Sequence, residues 1–438
     1  MTDLFASDVS SSSFTTEFDK TVETDTSFEN ALDSARGGDR LTTDEAVELL
    51  TTGTDLGGVN TERKEKVLRA ADERRREVVG DEVTFVANIN NNVTTACDVG
   101  CLFCNFKDAP LKFKIEGGEG FTKTVEESRE TVAEAREHGV YEVCSVSGLH
   151  PSLVLDEEHR EAVDGTPEYT PPDEFLKNPG TYTAQVRAMN DLHVHAVTPE
   201  EAAHARRGTD WSYREVYERL AEAGLDTVPG TAAEILVDEV RDVICPNKID
   251  TDGWMNAMRG AAEAGLKTTA TIMYGHVENE RHRALHLKRV RDLQKEMEAI
   301  TEFVPLSFVH ENTPLGDRGV TGASRAEDEL MIAVSRLFLD NIENVQSSWV
   351  KYGDELGTRR LECGANDFMG TLLSEEITKR AGGDHGEFRS FEWYVERIRE
   401  IGRVPVERST DYEKRRVVDG SPYGPVLGSR ADGTPLLD

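Results

Sequence analysis

Val83-Thr-Phe-Val-Ala-Asn-Ile-Asn90, the break at Asn91-Asn92 and the run Cys97-Asp-Val-Gly-Cys101-Leu-Phe-Cys104 together decide how this chain is read. The first part is short, apolar and β-branched, the pattern of a buried strand that runs into a loop. The loop then presents three thiols at spacings of four and three. That spacing lets Cys97, Cys101 and Cys104 wrap three corners of one iron–sulfur cube, because thiolates are the ligands such clusters use and soft sulfur selects them. The next cysteine, Cys144, lies far along the chain, so a 4Fe-4S cube held here keeps one iron open to a small molecule. A zinc knuckle and three incidental thiols are the competing readings. A structural zinc site normally takes four protein ligands, so a lone triad fits zinc poorly. If the strands are parallel and close on themselves, the cysteines sit at the C-terminal face, where such barrels keep their chemistry.

Length and composition set the frame. A chain of 438 residues can bury a large core, and one barrel with additions is a natural size. No apolar run is long enough to span a membrane, and Asp3, Asp8, Glu17 and Asp19 argue against a signal peptide. Six cysteines without paired spacing point to a reducing compartment, hence the cytoplasm, and away from a disulfide framework. With 50 basic against 83 acidic residues the net charge is -33, which repels nucleic acid and anionic membranes alike. The acidic residues are spread along the chain and read as a heavily hydrated surface suited to high salt, not as a binding device.

A repeated phrase gives the fold class. Ala135-Arg-Glu-His-Gly139-Val-Tyr-Glu-Val143, Ala221-Glu-Ala-Gly224-Leu-Asp-Thr-Val228 and Ala262-Glu-Ala-Gly265-Leu-Lys-Thr-Thr269 share one grammar. Each is a helix end, a glycine suited to a left-handed cap, then a β-branched strand. A capping box, Thr124-Val-Glu-Glu127, opens the helix before Gly139. The alternation indicates an α/β fold with parallel strands and crossover helices. Eight strands are expected: Val83–Asn90, Glu142–Ser147, Leu192–Val197, Thr227–Val228, Lys267–Tyr274, Phe303–Val309, Asn344–Val350 and Leu361–Gly364. They suggest a (βα)8 TIM-type barrel, with a six-stranded partial barrel as the alternative. Residues 1–40 read as a disordered acidic Ser/Thr-rich tail. Residues 41–385 read as the barrel with its N-terminal helices, and 386–438 as a C-terminal helix (Phe391–Ile401) plus an extended tail. The segment Leu153–Thr181 reads as a surface excursion, helical around Pro172–Leu176.

With Phe103 just before the last cysteine, the triad resembles the C-x3-C-x-φ-C signature of radical S-adenosylmethionine (SAM) enzymes. Further phrases narrow the likeness: Pro229-Gly-Thr-Ala-Ala-Glu234-Ile-Leu, Arg241-Asp-Val-Ile-Cys-Pro246-Asn-Lys248, Gly148-Leu-His150-Pro, His193-Val-His195-Ala, Gln346-Ser-Ser-Trp349-Val-Lys351, Cys363-Gly-Ala-Asn366-Asp367 and Gly370-Thr-Leu. Together they resemble the branch that serves deazaflavin and menaquinone synthesis, and within it the 4-hydroxybenzyl-transferring half of the deazariboflavin synthases. The likeness covers roughly Thr43 to Tyr412. It implies a 4Fe-4S cluster and SAM as cofactors. It also implies L-tyrosine and 5-amino-6-(D-ribitylamino)uracil as substrates, an electron donor such as ferredoxin or flavodoxin, and association with the ring-closing partner subunit. Two other readings stay open: a menaquinone-branch enzyme with another acceptor, and a non-enzymatic zinc protein.

The resemblance also implies roles for single residues. The region of Ser147 and Gly148 meets the amino group of SAM. Relatives usually carry Gln-Gly-Gly there, whereas this chain has Ser145-Val-Ser147-Gly148, which offers a hydroxyl and a backbone oxygen. Phe103 and Glu234 fall near the cofactor, although a carboxylate there also suits a helix N-terminus. His150, His195, His310, Asn366 and Asp367 stand at strand ends as candidate substrate contacts. Asn366 and Asp367 could equally cap the next helix, and His193 reads as a core histidine. Cys144, Cys245 and Cys363 read as packing residues.

Overall fold

Parallel strands register one against the next around most of a ring in the computed structural model, which describes residues 23–53, 60–97, 99–104, 121–137, 139–163, 177–371, 389–413 and 415–418. The strands are β1 (Glu82–Val86), β2 (Asn88–Asn90), β3 (Glu142–Ser145), β4 (His193–Ala196), β5 (Thr227–Val228), β6 (Lys267–Tyr274), β7 (Ile300–Ser307), β8 (Asn344–Val345), β9 (Asp367–Gly370), β10 (Val404–Arg408) and β11 (Arg415–Val417). A seven-stranded sheet runs β2-β3-β4-β5-β6-β7-β8, every pair parallel. β1 and β2 are one strand broken at Ala87, whose carbonyl accepts from both Tyr141 and Glu142. β9 pairs with β1 through Thr84↔Asp367 and Val86↔Gly370, and the bridge Gln346↔Asp367 joins it to the end of β8. Eight parallel strand positions therefore encircle one lumen among the described residues.

Local sequence explains the joints. Gly139, Gly224 and Gly265 all take positive φ at helix ends, as their helix-glycine-strand phrases predict. Glu127 and Thr124 exchange the two bonds of a capping box before the helix Val125–Glu137. β6 is buried at six of its eight positions, as expected of a parallel strand covered on both faces. One apolar cluster joins β1 and β6–β9 to the helices Phe28–Gly37, Thr43–Leu50, Thr61–Val79 and Arg325–Phe338. A second packs β3–β5 against Tyr182–Met189, Pro199–Arg206 and Tyr213–Ala223. No helix among the described residues is long and apolar enough to cross a membrane.

Four expectations need correction. The eighth strand is Asp367–Gly370, not Leu361–Gly364; Leu361 ends a helix and Gly364, at φ 115°, turns the chain back. The seventh is shorter than expected because Trp349 already begins a helix. The described part of the expected acidic tail forms a helix, Phe28–Gly37, where Phe28, Ala31, Leu32 and Ala35 make a thin apolar stripe that buries itself, while residues 1–22 lie outside the described residues. β10 and β11 are the fourth difference. β10 lies parallel on the free edge of β1, and β11 returns antiparallel. Between the C-terminal helix and the tail expected from about Val417, the chain thus adds two strands that the sequence reading lacks. The helix expected at Pro172–Leu176 lies outside the described residues, as does the tail beyond Val418.

Candidate active site

Gly148 shows how the barrel's C-terminal end is assembled. A Cβ at this position would come within 2.5 Å of the Ala96 carbonyl, so only glycine lets the end of β3 lie against the chain that enters the cysteine loop. Gly148 donates from its N–H to Thr94 O at 2.8 Å, and Val93 N–H donates to the Ser147 hydroxyl at 2.7 Å. The loop is tied down on its far side as well. Leu102 N–H donates to Ile244 O (2.8 Å), Leu315 N–H to Leu102 O (3.1 Å) and Asn247 Nδ2 to Val99 O (2.9 Å). These five tethers fix the three thiols relative to the barrel.

The loop opens on a cavity lined by Cys97, Cys101, Cys104, Phe103, Ser147, Gly148 and Glu234, with Thr198, Glu200, Glu201, Lys248, Met273, Ser307 and Lys351 among its other walls. No disulfide joins any of the six cysteines. Cys245 is buried against the same apolar cluster as Cys101 but does not line the cavity. Among the described residues no three His, Cys, Asp or Glu side chains already converge on one point, so the thiols share the cavity wall without meeting. Three thiols, with no fourth thiol among the described lining residues, are the donor set of a cube with an open corner and not that of a zinc site closed by cysteines.

One ion pair stands in the charged wall. Lys248 donates from Nζ to Glu234 Oε1 at 2.7 Å and stands 5.8 Å from the centre of the Phe103 ring. Burial, the largest single influence, works against the Lys248 ammonium, but the negative neighbours together, Glu234 foremost, hold its pKa above the ordinary value. Glu234 sits at φ 45°, Ala232 at 75° and Val197 at 57°. Such left-handed non-glycine residues cluster where backbone strain serves a site. Glu200 accepts from Ile249 N–H at 3.2 Å, and burial raises its pKa.

Burial also pushes Glu201 up to about 7, although Thr198 donates to it from its N–H (3.0 Å) and its hydroxyl (2.8 Å). Between the ordinary glutamate value of 4.5 and about 7, the folded protein holds a proton here that the unfolded chain has lost. This group's contribution to stability therefore falls as pH rises through that window and levels off above it. Glu201→Gln should flatten that slope and stabilise the fold at about pH 8 by at most ~3 kcal/mol, at 1.36 kcal/mol per pKa unit. Urea unfolding at about pH 5 and about pH 8 reads it, and an unchanged slope would refute the assignment.

Of the residues singled out from sequence, the cysteines, Phe103, Ser147, Gly148 and Glu234 come together, and the five candidate substrate contacts do not line the cavity. His150 is fully buried beside Ser152, its Nδ1 at 2.8 Å from that hydroxyl, and burial pushes it down to about 4. His195 is buried in the lumen against Thr227 (2.8 Å) and is also lowered to about 4 by burial. His310 pairs with Glu311 at 3.5 Å. Asn366 accepts from Arg336 and from Val345 N–H, and Asp367 is clamped by Arg408. The reason for the last two is the misplaced eighth strand: Asn366 precedes it and Asp367 opens it, so both lie at its N-terminal end instead of following it. Glu200, Glu201, Lys248, Ser307 and Lys351 had gone unassigned. Two of them stood in quoted phrases, since Lys248 closes Pro246-Asn-Lys248 and Lys351 closes Gln346-Ser-Ser-Trp349-Val-Lys351.

Comparison with known proteins follows the same lines. A family model described as the Radical SAM superfamily matches residues 91–290, and one described as the CofH/MqnC C-terminal region matches 297–420. Among solved structures, methylornithine synthase (PylB) superposes with a TM-score of 0.62 at 19% identity, covering 86% of this chain and 97% of that one. HydG from Carboxydothermus hydrogenoformans gives 0.60 at 15% identity, covering 88% and 81%. At such identities these two speak for the fold alone. Curated relatives named 5-amino-6-(D-ribitylamino)uracil--L-tyrosine 4-hydroxyphenyl transferase are far more similar. The protein of Haloarcula marismortui is 66% identical over 436 residues (97% of each chain), and that of Halobacterium salinarum is 63% identical over 433 residues (96% of each). The protein of Methanoculleus marisnigri is 42% identical over 383 residues, covering 87% of this chain and 96% of its own. With the barrel and the three-thiol cavity in place, the chain belongs to the radical SAM enzymes, in the family of these 4-hydroxyphenyl transferases.

Proposed function

We propose that this protein joins the 4-hydroxybenzyl group of L-tyrosine to 5-amino-6-(D-ribitylamino)uracil, releasing 2-iminoacetate, methionine and 5′-deoxyadenosine, as a step of deazaflavin cofactor synthesis in the cytoplasm. The observation that carries this reading is near full-length identity of 66% to a relative so named, together with three thiols on one cavity wall. Cys97, Cys101 and Cys104 would hold the 4Fe-4S cluster, and Phe103, Ser147, Gly148 and Glu234 would border the SAM. When bound, cluster and SAM supply one-electron chemistry, reductive cleavage that yields an abstracting 5′-deoxyadenosyl group. The electron donor is a ferredoxin or flavodoxin, and the product passes to the ring-closing partner subunit.

The chain's own residues orient and shield. Gly148 and the tethers of the cysteine loop fix the cofactor wall relative to the barrel. Leu149, Met273, Leu306 and Phe308 give the cavity apolar walls that exclude water and stray hydrogen donors. The Lys248–Glu234 pair supplies a fixed dipole beside them.

Anaerobic incubation with tyrosine, SAM, a low-potential reductant and the diaminouracil tests the proposal. Mass spectrometry should show the 4-hydroxybenzyl adduct, with glyoxylate from hydrolysis of 2-iminoacetate, and phenylalanine should fail. SAM cleavage with tyrosine left intact would favour the menaquinone-branch reading, and a colourless protein with stoichiometric zinc would favour the zinc reading.

A further inference from the structure

The products of the reaction say where the tyrosine amine must lie. Release of 2-iminoacetate turns the α-amino group into an imine, so one N–H bond breaks along with the Cα–Cβ bond, and that hydrogen leaves in 5′-deoxyadenosine. The amine therefore has to face the cofactor wall. It arrives as an ammonium, and a cation taken out of water needs an anion to offset its desolvation.

Among its described lining residues the cavity carries three carboxylates, Glu200, Glu201 and Glu234. Two of them are already engaged. Glu234 pairs with Lys248 at 2.7 Å. Glu201 closes the capping box of the helix Pro199–Arg206, where its Oε2 accepts from Thr198 N–H and from the Thr198 hydroxyl. Glu200 differs from both. Its Oε2 accepts from Ile249 N–H at 3.2 Å, while its Oε1 takes no hydrogen bond among the described residues and is not sealed inside the protein. The side chain is only 8% exposed and lines the cavity, so that oxygen opens on it. No cation among the described residues forms an ion pair with it; Lys248 eases its charge from farther away, and burial still raises its pKa. The first turn of a helix favours a carboxylate at either position. That accounts for the capping glutamate, and it leaves Glu200 without a counter-ion in a nearly dry wall.

Position in the ring points the same way. Glu200 follows β4, the third position, whereas Ser147 and Gly148 follow β3, the second, and Glu234 follows β5, the fourth. Glu200 thus lies between the residues that would border the SAM, next to where the hydrogen is taken. Val197, at φ 57°, turns the chain between β4 and the helix, and the bond from Ile249 N–H ties the carboxylate to the next loop of the barrel mouth.

We infer that Glu200 binds the α-ammonium group of the amino-acid substrate and selects an amino acid over the acid that lacks the amine. The inference rests on the tyrosine reading above and adds the contact that turns the reacting nitrogen toward the cofactor. The amino group of SAM belongs beside Ser147 and Gly148, and the amines of the diaminouracil are conjugated and uncharged, so neither should depend on this residue.

Two probes test it in the cluster-loaded protein. Tyramine keeps the ammonium and lacks the carboxylate; 3-(4-hydroxyphenyl)propionate does the reverse. By anaerobic calorimetry Glu200→Gln should weaken tyramine roughly 10- to 100-fold, the range of a charge-assisted contact, and leave the propionate unchanged. In turnover the same variant should raise the KM for tyrosine by a similar factor, with the KM for SAM and for the diaminouracil little changed. Glu200→Asp, which keeps the charge on a shorter arm, should recover part of the loss. Equal weakening of both probes, a rise in the KM for SAM with tyramine unaffected, no binding of tyramine by the wild type, or no change at all would overturn the assignment. A wild-type enzyme that leaves tyrosine intact yet binds tyramine through Glu200 would overturn the substrate reading and leave this contact standing. Thermal melting of both variants guards against a folding defect.

Discussion

Replacing Cys97, Cys101 or Cys104 with alanine, one at a time, should each abolish bound iron and SAM cleavage while the protein stays folded. The argument has two halves. Each thiol lines the same cavity wall, and the described cavity offers no fourth thiol to take a vacated corner. A cube left with two protein ligands loses its hold, and the one-electron chemistry goes with it. The fold, by contrast, owes little to the loop. Cys97 and Cys104 are only half-buried, and the main apolar clusters lie elsewhere. Trimming one sulfur from the wall should cost about 1 kcal/mol or less, on the scale of a single buried methyl. Iron and sulfide assays on anaerobically purified variants, with melting curves, check both halves. Cys144→Ala, Cys245→Ala and Cys363→Ala serve as controls and should retain iron. Full turnover in any triad variant, or loss of iron in a control, would refute the ligand assignment.

The cofactor wall was legible in the sequence because it is local. Three cysteines within eight residues and an aromatic just before the last of them are read from neighbours in the chain. The substrate side was not, because it depends on where a distant strand begins. Reading Leu361–Gly364 as the last strand set Asn366 and Asp367 beyond its end, at the mouth. The true strand starts at Asp367, which moves both residues to the opposite end of the barrel. A six-residue shift of one strand thus exchanged the two ends of the barrel for these side chains. The histidines misled for a different reason. A histidine near a strand end looks the same in sequence whether it faces ligand or core, and burial leaves His150 and His195 as neutral packing groups. β10 was hidden too: Val404-Pro-Val-Glu-Arg408 is short, and its pairing partner β1 lies more than three hundred residues earlier.

Arg408→Met should be the most destabilising substitution in the barrel, at about 3–5 kcal/mol, the usual cost of stranding a buried charge. The reason lies in what β10 carries under the lumen. Arg408 donates from Nε to Asp367 at 2.6 Å and from Nη2 to Asp367 (3.1 Å) and Glu302 (3.3 Å). Tyr412 donates to the same two carboxylates, at 3.0 Å and 2.6 Å, and Thr84 and Gln346 complete the set. All of these groups are buried or nearly so, and burial together with the charge of Asp367 already raises the pKa of Glu302. Without the guanidinium, two carboxylates share one dry site, and at least one must take up a proton to relieve the other. The cost of the variant should therefore grow as pH rises, since each proton held only by the folded state makes stability fall with pH. Denaturant unfolding of wild type and variant at about pH 6 and about pH 8 measures this. Replacing all three charges, as Arg408→Met with Glu302→Gln and Asp367→Asn, should recover much of the loss, because amides need no counter-ion. A single variant within ~1 kcal/mol of wild type at both pH values would mean that the ion cluster does not hold the barrel floor together.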